Sequence, residues 1–69
     1  MNRTPVVSSN LASVGYDAGS MTLEVEFRSG SVYQYFDVPA VEFEQLLSAA
    51  SVGQYFCRFI RDCYRYVQL

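Results

Sequence analysis

Alternation of apolar and polar side chains predicts β-strands in the first half of the chain. Residues 22–27, TLEVEF, alternate from end to end, which is the period of two that indicates a strand buried on one face. Residues 11–16 and 31–37 are also strand-like, and turn-forming segments at 17–20 (DAGS) and 29–30 (SG) separate the three. We therefore predict three antiparallel strands joined as a meander.

The turn at residues 29–30 determines the register of the second and third strands. Ser-Gly suits a type I turn with Gly30 in the left-handed position of a G1 bulge, whereas a two-residue type I′ turn favours Asn-Gly. The bulge pairs Val25 with Tyr33 and Leu23 with Tyr35, so that both tyrosines face the core. A register shifted by one residue would place them on the outer face, opposite glutamates. We favour the inward register.

Helical spacing replaces alternation after residue 38. Pro39 suits the first position of a helix. Phe43, Leu46, Leu47 and Ala50 then recur at i, i+3, i+4 and i+7, which predicts a first amphipathic helix that ends near residues 49–50.

A second helix is predicted from Ser51, because Ser51 and Gln54 fit the S-x-x-Q capping box. This helix is strongly amphipathic over the rest of the chain. Its apolar face comprises Val52, Phe56, Phe59, Ile60, Cys63 and Val67, and its polar face comprises Gln54, Arg58, Arg61, Arg65 and Gln68.

These elements define an α+β domain of two layers, a three-stranded antiparallel sheet followed by two helices packed on one face. Residues 1–9 are expected to form a flexible N-terminal arm, since Pro5 and the Ser8-Ser9 pair discourage regular structure. Residues 10–69 form a single domain. A 69-residue chain buries a small core, and six Tyr and five Phe supply much of its apolar surface.

Charge is distributed unevenly along the chain. Residues 4–50 contain six carboxylates with Arg28 as their one cation, whereas residues 51–69 contain three arginines and Asp62. The total is −2 at pH 7, while domains built mainly to hold nucleic acid are usually basic. The total charge weakens a nucleic-acid role, and the final element is the part of the chain suited to an anionic partner.

Several residue types are missing, and their absence excludes chemistry. There is no His and no Lys, so we expect no ordinary zinc or haem site, no P-loop and no Schiff base. Cys57 and Cys63 are six residues apart and point in different directions on a helix, so two free thiols are expected. We predict no metal, no cofactor and no catalytic activity.

The location of the protein is also constrained by the sequence. No apolar run approaches the ~18 residues of a membrane span, and the first ten residues lack the apolar core of a signal peptide. Free thiols suit a reducing compartment. We therefore expect a cytoplasmic protein with no membrane association.

The ordered set of motifs in this chain resembles the KTSC domain, a short bacterial domain found at the C-terminus of some lysyl-tRNA synthetases and as a stand-alone protein. The resemblance covers about residues 8 to 66 and implies a small module without an established activity, for which RNA binding has been suggested. The motif positions, which we interpret as structural, include Gly15, Tyr16, Asp17, Tyr33, Tyr35, Phe56, Ile60 and Tyr64; the resemblance also includes Ser8-Ser9, the alternating strand at 23–27, Gly30, Val38-Pro39 and Ala50-Ser51-x-Gly53.

The best candidate for contact with an anionic partner is the line of three arginines on the second helix, Arg58, Arg61 and Arg65. Arginine presents a planar fork that matches phosphate or carboxylate, and Gln54 lies on the same face. The simpler interpretation is a solvated helix face with an Arg58–Asp62 pair at i, i+4.

Two further segments have a functional and a structural interpretation. Ser51 and Gly53 at a helix start could hold a phosphate, but a cap is the simpler explanation, with Gly53 small because another backbone packs close to it. Tyr33 and Tyr35 could stack on bases, an interpretation that the inward register disfavours. We further expect Cys63 in the core and Cys57 near the polar edge of its helix.

The sequence thus indicates a small non-catalytic binding module with two candidate partners. The first is RNA, tRNA-like or otherwise structured, held by the arginines. The alternative is protein–protein interaction, by homodimerisation or by docking on a larger protein. The alternative predicts exposed apolar side chains around Val32, Gln34 and Phe36, or near Tyr66 and Leu69.

Overall fold

A computed structural model describes residues 1–69 as an α+β domain of two layers. One layer is an antiparallel sheet with the meander order β1-β2-β3-β4-β5. Two helices cover one face of the sheet, here called the inner face. The elements are β1 (Arg3–Pro5), β2 (Leu11–Asp17), β3 (Thr22–Phe27), β4 (Val32–Tyr35), α1 (Ala40–Ser48), α2 (Val52–Phe59) and β5 (Tyr66–Gln68).

The α+β class, the meander order and the two helices agree with the sequence prediction, but the strand count was wrong. The sheet has five strands and not three. One additional strand, β1, lies within the segment predicted as an arm. The other, β5, lies at the end of the predicted second helix, because α2 already ends at Phe59.

Strand β1 lies on β2 at a position that only glycine permits. A Cβ atom on Gly15 would lie 2.5 Å from the backbone oxygen of Asn2, so a side chain there would exclude β1. On the outer face of the sheet, Arg3 Nη1 donates to Glu24 Oε2 at 3.0 Å, and Gln34 Nε2 donates to Glu24 Oε1 at 2.9 Å. The buried Glu24 carboxylate is therefore paired, which offsets the cost of its desolvation.

The predicted register of β3 and β4 is confirmed. Leu23 pairs with Tyr35 and Val25 with Tyr33, and Gly30 has a φ of +99°, the left-handed conformation that a G1 bulge needs. Both tyrosines consequently lie on the inner face, Tyr35 buried and Tyr33 half-buried.

Helix α2 has the predicted start and α1 begins one residue later than predicted, and the apolar faces of both helices are less buried than predicted. Ser51 Oγ accepts a hydrogen bond from the Gln54 amide at 3.3 Å, which confirms the predicted cap. Pro39 is the N-cap of α1 and not its first helical residue. The core cluster consists of Leu11, Val14, Leu23, Val25, Tyr35, Val38, Leu46, Phe56 and Ile60.

Five residues that the helical period placed on apolar faces are exposed, namely Leu47, Ala50, Phe59, Cys63 and Val67. Leu47 and Phe59 lie within their helices, and Ala50 follows the end of α1. Cys63 and Val67 lie beyond the end of α2, so the helical period no longer determines their orientation. The prediction of a core Cys63 is therefore wrong, and both thiols are exposed.

A cluster of polar side chains joins the two helices and the segment that follows them. The Glu42 carboxylate of α1 accepts hydrogen bonds from the hydroxyl of Tyr55 on α2 and, at 2.8 Å, from the hydroxyl of Tyr64. The Tyr55 hydroxyl is also 2.8 Å from Gln45 Oε1. We call Glu42, Tyr55 and Tyr64 the tyrosine clasp. Neither helix has the length and apolar composition needed to cross a membrane.

Candidate functional site

A groove opens on the inner face where the helices do not cover the sheet. Because α2 ends at Phe59, the ends of β4 and β5 remain open there. The groove has a volume of about 410 Å³, within the range of about 300–1,000 Å³ found for small-ligand sites. We call it the tyrosine groove, and it is lined by Phe27, Ser29, Ser31, Tyr33, Tyr35, Arg61, Asp62 and Tyr66.

Aromatic rings form the floor and one wall of the tyrosine groove. The Tyr66 ring centroid lies 5.8 Å from that of Tyr33 and 5.6 Å from that of Tyr35. Phe27 meets Tyr33 edge to face at 5.4 Å. Tyr66 is 56% exposed while Tyr35 is 2% exposed, so Tyr66 presents its ring to solvent and Tyr35 forms the floor.

Hydrogen bonding and burial fix the tyrosines of the groove in different ways. The Tyr33 hydroxyl donates to Gln68 Oε1 of β5 at 3.3 Å, which holds its ring along the sheet. Burial raises the pKa of Tyr35 to about 12, with smaller contributions from Tyr33 and Tyr66. Tyr35 is therefore a neutral hydroxyl at physiological pH.

Two adjacent residues with opposite charges line the groove. Arg61 Nε lies 3.8 Å from Asp62 Oδ2, and the two side chains are 58% and 80% exposed. A pair this exposed contributes little to stability, so both groups are free to contact a ligand. The groove therefore combines open aromatic surface with one guanidinium and one carboxylate.

The predicted line of arginines is not a feature of one helix face. Arg58 lies in the last turn of α2, and Arg61 and Arg65 follow the helix. Arg65 Nη2 lies 3.5 Å from Asp37 Oδ2, and its guanidinium carbon lies 5.4 Å from the centroid of the Phe36 ring. The helical spacing predicted for these residues is wrong because the helix ends before Ile60.

The predicted Arg58–Asp62 pair is not formed either. Asp62 lies next to Arg61, since the turn that follows α2 carries both residues. Arg58 is exposed and has no carboxylate within 4.0 Å.

A second, polar depression surrounds the start of α2 and contains the predicted Ser51, Gly53 and Gln54. A Cβ on Gly53 would lie 2.8 Å from Asn10 Oδ1 and 2.9 Å from Ser8 Oγ. Gly53 is therefore small because two side chains pack against it, whereas we had predicted another backbone. Cys57 also lines this depression.

The remaining motif positions have structural environments. The Tyr16 hydroxyl donates to the Val38 carbonyl at 2.6 Å. The Ser20 hydroxyl donates to Asp17 Oδ2 at 2.5 Å and lowers the pKa of Asp17. Gly15 lies against β1, Phe56 and Ile60 are buried in the core, and Tyr64 belongs to the tyrosine clasp.

Sequence reasoning missed two of the residues that open the groove, Asp62 and Tyr66, as ligand contacts. Both had been placed on a continuous helix, which would not have paired Tyr66 with Tyr35 of β4. The signal for β5 was present in Tyr66-Val67, a strand-favouring pair, but three residues are too few to show a period of two.

The exposed apolar side chains predicted for a protein-binding module are found in part. Val32, Gln34 and Phe36 are half-buried on the outer face of the sheet. Leu69 is 67% and Val67 44% exposed, and β5 is an edge strand of the sheet.

A two-layer α+β module with these motifs defines a class of small domains, and the KTSC domain model matches residues 7–66. The chain belongs to the KTSC domain family. A crystal structure of a KTSC domain protein from Yersinia pestis superposes with a TM-score of 0.94 at 36% identity, covering 99% of this chain and 96% of the other.

Relatives of this chain include free-standing proteins and parts of larger ones. An uncharacterized protein of Stutzerimonas stutzeri is 43% identical over 67 residues, 96% of this chain and 94% of that protein. A lysine–tRNA ligase of Trichormus variabilis is 50% identical over 54 residues, 78% of this chain. The match spans 10% of the ligase's length.

Proposed function

We propose that this KTSC domain is a non-catalytic module that binds single-stranded RNA at the tyrosine groove. The observation that carries the proposal is the exposed Tyr66 ring, which lies beside Tyr33 with the Arg61 guanidinium in the same groove. Aromatic rings that stack on bases, next to a cation, are the recurring basis of single-strand recognition.

Arginines at and near the groove favour an anionic ligand there, although the total charge of the chain is −2. Arg61 lies within the groove, Arg28 is adjacent in sequence to the groove residues Phe27 and Ser29, and Arg58 precedes Arg61 by three residues. Most of the carboxylates lie elsewhere, on α1 and on the outer sheet face. Because few cations are involved, we expect weak, salt-sensitive binding.

The relatives support the same proposal. Lysine–tRNA ligases that match this chain are enzymes named for their tRNA substrate. A KTSC domain attached to such an enzyme would add a contact to the unpaired loops or end of a tRNA. For this chain the corresponding ligand is RNA with accessible unpaired bases.

Fluorescence anisotropy of a labelled single-stranded RNA decamer tests the proposal. Replacing Tyr66 with Ala should weaken binding roughly 5- to 150-fold, because one base–aromatic stack contributes about 1–3 kcal/mol. The matched control is Val67→Ala, which removes the neighbouring exposed side chain on the opposite face of β5. Circular dichroism verifies that both variants fold.

Two results would contradict RNA binding at this groove. One is an affinity unchanged by Tyr66→Ala. The other is an equal loss in both variants, which would show that β5 as a whole and not the groove is needed.

We propose protein docking on β5 as the second candidate function. Val67 and Leu69 expose apolar surface on the outer face of an edge strand, and unpaired edge strands readily accept another strand. Self-association through this strand predicts dimers in analytical ultracentrifugation that Val67→Asp dissociates. A protein that remains monomeric at millimolar concentration would exclude self-association.

A further inference from the structure

The two charged residues of the tyrosine groove form a pattern that selects among bases. Arg61 can only donate hydrogen bonds and an ionised Asp62 can only accept them. Arg61 Nε and Asp62 Oδ2 are 3.8 Å apart, and both residues line the groove with Tyr66. A flat ring that stacks on Tyr66 would therefore meet a donor and a carboxylate side by side at its edge.

We infer that the tyrosine groove binds guanine in preference to the other RNA bases, with Tyr66 stacking on the ring and Arg61 and Asp62 contacting its Watson–Crick edge. This inference rests on the proposed RNA binding. Guanine presents an acceptor, O6, followed by two donors, N1–H and N2–H. Arg61 would donate to O6, and the two carboxylate oxygens of Asp62 would accept from N1–H and N2–H.

The other bases do not match this order. Adenine presents an amino donor and then the ring acceptor N1, and cytosine presents an amino donor and then two acceptors, N3 and O2. Either order places an acceptor opposite the carboxylate. Uracil presents acceptor, donor and acceptor, so that its second carbonyl would face the carboxylate. A mismatched site leaves desolvated polar groups unpaired, which discriminates more strongly than a lost apolar contact.

The carboxylate itself argues against a groove that only follows the RNA backbone. Asp62 would repel a phosphate at this position, whereas hydrogen bonds from base donors would offset the cost of its desolvation. The phosphates are left to arginines outside the groove, and Arg58 is exposed and without a carboxylate partner. Ser29 and Ser31 also line the groove, and their hydroxyls can donate or accept hydrogen bonds.

The test uses RNA octamers of uridine with one central guanosine, inosine, adenosine or cytidine, alongside the all-uridine octamer. A single guanosine avoids self-association of the probe. We expect the guanosine octamer to bind about tenfold more tightly than the adenosine, cytidine and all-uridine octamers. Inosine lacks the N2 amino group and should bind between guanosine and adenosine.

Asp62→Asn is the decisive variant, because asparagine can accept only one of the two donor hydrogens. It should abolish the difference between guanosine and inosine. The matched control is Asp37→Asn, which removes an exposed carboxylate from the loop between β4 and α1 and should leave the preference unchanged.

Each outcome bears on a different claim. If none of the octamers binds, the proposed RNA function fails, and this inference fails with it. Equal binding of all five octamers overturns the guanine preference and leaves RNA binding intact. If Asp62→Asn tightens binding to all octamers by the same factor, Asp62 acts only as a repulsive charge, and the inference is also overturned.

Discussion

Glu42 is the single residue through which the two helices and the following segment are joined by side-chain hydrogen bonds. Its carboxylate accepts from Tyr55 and Tyr64, which are 13 and 22 residues away in sequence. Both phenols must remain protonated to donate. The pKa of Tyr55 is raised to about 12, chiefly by the hydrogen bond to Glu42, and that of Tyr64 to about 12, chiefly by burial and then by Glu42.

These raised pKa values predict a stability that falls in alkaline solution. The unfolded tyrosines titrate near pH 10, so the stabilisation is complete below about pH 10 and is lost as the pH rises toward about 12. Urea unfolding between pH 8 and pH 11.5 should show this decline. Tyr64→Phe should make it shallower, and an identical slope in the variant would contradict the role of Tyr64 in the clasp.

Gly15 is the residue that permits the β1–β2 pairing. We expect Gly15→Ala to displace β1, because its Cβ would lie 2.5 Å from the Asn2 backbone oxygen, and to lower the free energy of unfolding by roughly 1–3 kcal/mol. Urea unfolding and amide exchange measure the two effects. The matched control is Gly19→Ala, where the nearest atom to the added Cβ is 3.8 Å away and little change in stability is expected. An unchanged free energy of unfolding in Gly15→Ala would contradict the close packing of β1 on Gly15.

Strands β1 and β5 were not predicted from the sequence, whereas β2, β3, β4 and the start of α2 were. Residues 51–67 carry a helical period that α2 uses only as far as Phe59. A tertiary interaction ends the helix, because residues 66–68 pair with the otherwise unpaired edge of β4. The helix and strand propensities of a local segment do not reveal a partner strand that lies more than thirty residues away in the sequence.

The end of α2 and the start of β5 also determine how much of the groove could be predicted from the sequence. Tyr33 and Tyr35 were assigned the correct face because the turn at Gly30 is local and has a clear stereochemical signature. The open end of that face depends on where α2 stops, so the groove could not be predicted. The arginines were recognised as candidates by type, but their grouping was wrong.

Amide hydrogen exchange distinguishes β5 from a continued helix. The Leu69 amide donates to the Val32 carbonyl at 2.8 Å, whereas adjacent amides of an edge strand alternate between the partner strand and solvent. We expect slower exchange at Leu69 than at Gln68. Uniform protection from residue 60 to residue 68 would indicate a helix and would remove the groove.

The molecule as a whole separates its charges, and that separation bears on how it binds. Carboxylates are concentrated on α1 and the outer sheet face. Four of the five arginines line the groove or lie within three residues of a groove residue in sequence, namely Arg28, Arg58, Arg61 and Arg65. If about two phosphates are contacted, affinity for single-stranded RNA should fall about sevenfold between 50 and 200 mM salt. Affinity that does not depend on salt would exclude phosphate contacts.

The most direct test of RNA binding at the tyrosine groove is an NMR titration of ¹⁵N-labelled protein with bulk tRNA, at low and then at physiological salt. RNA binding at the groove predicts shifts that cluster on Tyr66, Arg61, Asp62 and the β3–β4 turn and that diminish as salt is added. A spectrum unchanged by excess tRNA at low salt would contradict it, as would shifts confined to Val67 and Leu69 on the outer face.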